Sequence, residues 1–150
     1  MPNRETNETR RVLFLCTGNY YRSRFAEILF NAQAVERGLS WTADSRGLAL
    51  DGCNYGPISK HTLVCLQTRG IESESCERFP QPLTEADLAT ADHIVAVKET
   101  EHRPLFEAKF PQWRDRIEYW AVHDLDCAEP DVAIPHLERE VVRLLERLAA

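Results

Sequence analysis

The stretch Val12-Leu13-Phe14-Leu15-Cys16-Thr17-Gly18-Asn19-Tyr20-Tyr21-Arg22-Ser23 decides how this chain is read. Four apolar residues in a row, with charge before them and a turn after, predict a strand buried on both faces. Gly18-Asn19 is a turn pair that tolerates unusual backbone angles. Beyond it Phe25, Ile28, Leu29 and Ala32 recur at helical spacing. Cys16 therefore enters a short loop from a strand, and Arg22 leaves it into a helix.

A strand, a tight loop and a helix start together make an anion site, because loop N–H groups and the unpaired first N–H groups of the helix point toward one spot. The five residues between Cys16 and Arg22 are enough to wrap once around a tetrahedral oxyanion. The planar guanidinium at the exit can bind two of its oxygens. Among such donors the Cys16 thiolate is favoured, which makes it a nucleophile facing a bound phosphate. A cysteine ending an apolar strand is often only a small buried hydrophobe. The strand, the Gly-Asn turn, the hydroxyl of Ser23 and the helix in one run favour the chemical reading.

This run resembles the signature of the low-molecular-weight protein tyrosine phosphatases, Cys-x-Gly-Asn-x-x-Arg-Ser-Pro after an apolar first strand. Cys16, Gly18, Asn19, Arg22 and Ser23 match it. Arg24 stands where the family usually has proline, which predicts a less rigid helix start. Tyr21 stands where many members carry a second loop cysteine, so the neighbour that traps an oxidised nucleophile as a disulfide is missing. The resemblance continues in Ser45-Arg46-Gly47, similar to the family's Ser-Ala-Gly after strand two, and in residues 91–97, similar to its third strand.

The 150 residues suit one domain with a real core, read as a flexible arm over residues 1–11 and a single phosphatase-like domain over 12–150. Twenty-four acidic against eighteen basic residues give a net charge of −6, which disfavours nucleic acid or an anionic membrane as partner. The first eleven residues lack the apolar core of a secretory signal, and no run approaches the roughly twenty apolar residues of a membrane span. Five irregularly spaced cysteines, none in a Cys-x-x-Cys pair, suit reduced thiols and a cytoplasmic location. The histidines at 61, 93, 102, 123 and 136 show no zinc-like spacing and read as solvated or structural. No metal or cofactor is expected.

The rest of the chain alternates strand and helix. Residues 39–45 read as strand two, and a helix starting at Pro57 closes at Gly70. Residues 71–82 are polar and irregular, and Thr84 to Asp87 carries the marks of a capped short helix. Residues 93–97 form a second unbroken apolar strand, followed by a helix over 99–110 and a fourth strand over 117–122. A closing amphipathic helix over 135–148 carries Leu137, Val141, Leu144, Leu145 and Leu148. That order predicts an α/β fold of three layers: a four-stranded parallel sheet with helices on both faces and ligands at the strands' carboxyl ends.

Splitting a phosphate ester also needs a proton for the leaving oxygen, supplied by a carboxyl group just past a strand end. Asp124 is the first choice and Asp126 the alternate. The family's Asp-Pro and nearby aromatics are replaced here by Asp124-Leu125-Asp126-Cys127. The expected reaction is hydrolysis of a phosphate monoester, phosphotyrosine foremost, through a cysteinyl phosphate. Cys16, Arg22 and Asp124 are its catalytic residues, and Thr17, Gly18, Asn19, Tyr20, Tyr21 and Ser23 bind the substrate, with Tyr20 and Tyr21 flanking the mouth. The implied partner is a phosphorylated protein or a small aryl phosphate, with subunit number left open. Two alternatives are an arsenate reductase of the same fold, disfavoured because residues 97–110 hold no relay cysteine, and a catalytically weak phosphate-binding module.

Overall fold

The computed structural model describes residues 9–50, 56–123 and 130–149. Its strands are β1 (Arg10–Cys16), β2 (Trp41–Gly47), β3 (His93–Ala96) and β4 (Glu118–Tyr119), all parallel, in the order β2-β1-β3-β4. The helices are α1 (Arg22–Arg37), α2 (Lys60–Thr68), α3 (Glu85–Thr90), α4 (Glu99–Lys109) and α5 (Pro130–Ala149), with short 3-10 turns at Glu74–Glu77 and Pro111–Trp113. β1 is central. The chain leaves it for β2 on one side and later returns to β3 on the other, so the carboxyl end of β1, where Cys16 lies, is the topological switch point of the sheet.

Residues 12–15 are fully buried, as an unbroken apolar strand requires, and they divide by parity between two cores. Val12 and Phe14 face α1, α2 and α5, packing with Phe25, Leu66, Leu137 and Val141, while Leu13 and Leu15 face Leu88 of α3 and Phe106 of α4. The Phe14 ring lies 5.9 Å from that of Phe30 and 5.8 Å from Trp120. Gly38 ends α1 in the left-handed region, at φ 68°, where glycine carries no steric penalty. Thr84 and Asp87 form the reciprocal capping box of α3.

Several boundaries differ from the sequence reading. β1 starts at Arg10, inside the stretch read as an arm, because it pairs with Trp41 from that residue onward. β2 runs two residues beyond Ser45, which sets Gly47 opposite Cys16. α2 starts at Lys60 because Ser59, not Pro57, caps it, accepting from the His61 N–H. The polar stretch after α2 holds a 3-10 turn capped by Ser73. β4 is only two residues long, since β3 ends at Ala96, although Trp120 and Val122 still donate to the carbonyls of Ala96 and Val97. α5 starts at Pro130, five residues before Pro135. The added turn buries Ala133 and Ile134, which offsets the bond lost at Pro135.

At the amino end of β4, burial acts to raise the Glu118 carboxyl, but bonds from His93 (2.7 Å), Arg147 (2.6 Å) and Trp120 (2.7 Å) outweigh it and bring it to about 2. A folded value below the roughly 4.3 of a free glutamate contributes stability that is complete above that pH and is lost as pH falls through it toward about 2. Glu118→Gln is expected to show a shallower loss of urea midpoint than wild type over this window. Phe14→Ala is expected to cost about 3–5 kcal/mol in urea unfolding at neutral pH, since it empties the contact between α1, α5 and the sheet.

Candidate active site

Cys16 and Arg22 bracket a loop whose peptides are nearly all turned the same way. The Cys16 and Thr17 carbonyls accept from the N–H groups of Leu48 and Ala49, both at 2.9 Å. The Asn19 carbonyl accepts from Arg24 (3.4 Å), that of Tyr20 from the Ser59 N–H (3.0 Å), and that of Tyr21 from the Thr62 hydroxyl and the Phe25 N–H, each at 3.1 Å. In a trans peptide C=O and N–H oppose each other, so carbonyls tied to the surrounding structure turn the N–H groups of Thr17, Gly18, Tyr20, Tyr21 and Arg22 to the inner side. Asn19 takes the left-handed angle, φ 53°, that closes the curl. Gly47 is required by close approach: a Cβ there would lie 2.8 Å from the Thr17 carbonyl oxygen and 3.1 Å from Asn19 Cβ.

Beneath the loop lies a buried polar network. Asn19 Nδ2 donates to Ser23 Oγ and Ser45 Oγ, both at 2.9 Å, and Asn19 Oδ1 accepts from the Gln81 N–H (2.9 Å) and Arg78 (3.2 Å). Ser45 donates to Glu27 Oε1 at 2.6 Å, and Arg78 closes the ring on the same oxygen at 3.1 Å. The Cys16 sulfur, in a residue 3% exposed, hydrogen-bonds Ser23 Oγ at 3.0 Å. Because Ser23 Oγ already accepts from Asn19, the hydroxyl proton is directed toward the sulfur when that sulfur is ionised.

Arg22, 2% exposed, donates from Nη1 to the Val122 carbonyl (3.0 Å) and from Nη2 to both oxygens of Glu101 (2.9 and 3.2 Å). Thr17 also donates to Glu101, and the ring of His102 lies against both. Burial acts to raise the Glu101 carboxyl, but the bonds from His102, Arg22 and Thr17 outweigh it and hold it far below the usual carboxylate range. Asp124 and Asp126 lie outside the described residues; Val122, two residues before Asp124, is tied to Arg22.

Two expectations change. The Tyr21 side chain does not flank a mouth: at 5% exposure it belongs to the core and meets His61 edge-on at 6.5 Å, because the residue before the helix faces inward. Tyr20 is half-buried. Arg24 does not loosen the helix start. It is fully buried and bonds the carbonyls of Asn19, Pro57 (2.8 Å) and Ser75 (2.5 Å), while burial, together with the neighbouring charge of Arg78, lowers its guanidinium to about 10. Sequence reasoning missed Glu27, Arg78 and Glu101. Only Glu101 left a local trace, lying just beyond the carboxyl end of β3 where ligand sites of such sheets gather.

Fold and loop together define an α/β protein with a thiol and a guanidinium at the two ends of an anion-type loop. The family model described as low molecular weight phosphotyrosine protein phosphatase matches residues 11–149, and the chain belongs to that family, as its signature implied. It is 29% identical over 106 residues to the protein-arginine-phosphatase of Bacillus subtilis (strain 168), covering 71% of this chain and 67% of that protein. It is 33% identical over 100 residues to the Homo sapiens low molecular weight phosphotyrosine protein phosphatase, covering 65% and 60%. Among solved structures, the low molecular weight protein tyrosine phosphatase from T. tengcongensis superposes with a TM-score of 0.78 at 27% identity, over 93% of this chain and 99% of that one. The arginine phosphatase YwlE, as a cysteine-to-serine mutant with a phosphorylated active-site serine, superposes with a TM-score of 0.72 at 25% identity, over 93% of each chain.

Arg78→Ala would leave the Glu27 carboxylate and Asn19 Oδ1 short of a donor beneath the loop. Since Arg78 is partly exposed, the expected cost is about 2 kcal/mol in urea unfolding, whereas substitution of the exposed Arg143 should leave the midpoint unchanged.

Proposed function

We propose that the protein hydrolyses phosphate monoesters, with phosphotyrosine in proteins as the substrate class, through a cysteinyl-phosphate intermediate. The observation that carries this reading is the outward turn of the loop carbonyls between Cys16 and Arg22, which supports an inner ring of N–H donors above a sulfur bonded to Ser23. The thiolate attacks phosphorus in line while the N–H groups of Thr17, Gly18, Tyr20, Tyr21 and Arg22 and the Arg22 guanidinium hold the equatorial oxygens, where charge gathers. Asp124 protonates the departing oxygen. Once ionised, it takes a proton from the water that attacks the cysteinyl phosphate, so one carboxyl group serves as acid and then base. Ser23 steadies the sulfur as it leaves. A thiol nucleophile needs reducing surroundings, which supports action in the cytoplasm.

Substrate choice has a second reading, favoured by the similarity to a protein-arginine-phosphatase and by the inward turn of Tyr21, which takes one aromatic ring from the mouth. Phosphotyrosine and phosphoarginine peptides compared at equal concentration decide between them. Higher kcat/KM on phosphotyrosine is expected, and preference for phosphoarginine overturns the substrate assignment. On p-nitrophenyl phosphate, Cys16→Ser is expected to abolish turnover, and Asp124→Asn to lower kcat by about 10²–10⁴-fold, the usual worth of a positioned proton donor. Activity that survives Cys16→Ser removes the cysteinyl phosphate from the mechanism.

A further inference from the structure

Glu101 is neither the nucleophile, the arginine nor the acid of the proposed reaction, yet its carboxylate touches the loop at both ends. We propose that Glu101 is a positioning residue: it ties Thr17, the first loop residue after Cys16, to Arg22, the last, and fixes the aim of the guanidinium at phosphate. The inference deepens the phosphatase reading and rests on it for the identity of the anion.

The geometry is that of a clamp built into the wall. Arg22 is held from two elements at once, by Glu101 of α4 through Nη2 and by Val122, beyond β4, through Nη1. With both outer nitrogens anchored, the plane of the guanidinium is set before a ligand arrives, and little rotamer freedom is left to lose on binding. The carboxylate is itself braced. His102, fully buried, accepts the Lys98 N–H at Nδ1 (3.1 Å); a backbone N–H can only donate, so the ring proton sits on Nε2. That nitrogen faces Glu101 Oε2 at 3.3 Å and Thr17 Oγ1 at 3.1 Å. Against the effect of burial, the bond from His102, together with those from Arg22 and Thr17, holds the Glu101 carboxyl well below the usual carboxylate range.

The same contact admits an opposite reading, in which the carboxylate occupies Arg22 and competes with phosphate. Clamp and competitor differ in sign. A competitor would have to leave Arg22 when phosphate arrives, whereas bonds from Thr17 and His102 hold this carboxylate in place independently of Arg22.

The test uses the full chain with Glu101→Ala and Glu101→Gln, and two readouts. One is kcat and KM on p-nitrophenyl phosphate. The other is protection of the Cys16 thiol from iodoacetate by inorganic phosphate, which needs no turnover. Glu101→Ala is expected to lower kcat/KM by about 10–100-fold, the cost of a misaimed binding group, and to raise the half-protecting phosphate concentration by a similar factor, both read well below the variant's own melting temperature, which the loss of Arg22's partner lowers. Glu101→Gln, which keeps reach but loses charge, should fall between the two. Should Glu101→Ala fail to fold, Glu101→Gln carries the test alone. Protection at lower phosphate than wild type would establish competition and overturn the clamp, and so would unchanged values in both readouts. If wild type is protected by phosphate but turns nothing over, weaker protection in Glu101→Ala upholds the clamp while the phosphatase reading fails.

Discussion

A loop can gather peptide N–H groups around an anion only if its carbonyls are satisfied elsewhere, and that constraint shapes this molecule. The donors that meet the carbonyls of Cys16, Thr17, Asn19, Tyr20 and Tyr21 come from the segment after β2, from α1, from the Ser59 cap and from α2. None of these partners is next to the loop in sequence except Arg24 and Phe25. The order β2-β1-β3-β4 brings the end of β2 beside Cys16, and the absence of a side chain at Gly47 lets the two backbones close. Two cores hold β1 from either face, so the loop is suspended from a strand that cannot shift without emptying both.

Charge is distributed around the loop on the same principle. Buried ionic groups are costly unless each meets partners, and here they come as linked sets: Arg78 with Glu27 below, Arg22 with Glu101 beside, Arg24 on three carbonyls behind. Arg24 stands where the family signature has proline. Proline shapes a helix start by its fixed ring, whereas this arginine pins the loop, Pro57 and the Ser73-capped turn with hydrogen bonds. The rigidity that a covalent ring provides is replaced by a buried guanidinium. That exchange is consistent with Asn19 holding its left-handed angle, since the carbonyl that the angle turns outward is the one Arg24 meets.

How much was legible follows from the range of the interactions. β1, β3, the capping box at Thr84 and the apolar face of α5 could be read because strand burial, capping and helical period are written within a few residues. Element ends were less legible. β4 stops where its neighbour β3 stops, and α5 starts early because Ala133 and Ile134 find a core to enter. Tyr21 and Arg24 were read by residue type, an aromatic as a rim and an arginine as a loosened turn, and both were reversed by the direction in which the loop leaves the sheet.

The sequence by itself determined the α/β alternation, the burial of β1 and the placing of Cys16 and Arg22 at the two ends of one turn, because these depend on local spacing and backbone chemistry. Only the tertiary structure decided which charges meet that turn. Glu27, Arg78 and His102 have no pattern along the chain, and Glu101 has only its place after β3; they act together because sheet order and helix packing bring residues up to 85 positions apart within hydrogen-bond reach, and a polar contact exists only where both partners arrive in register.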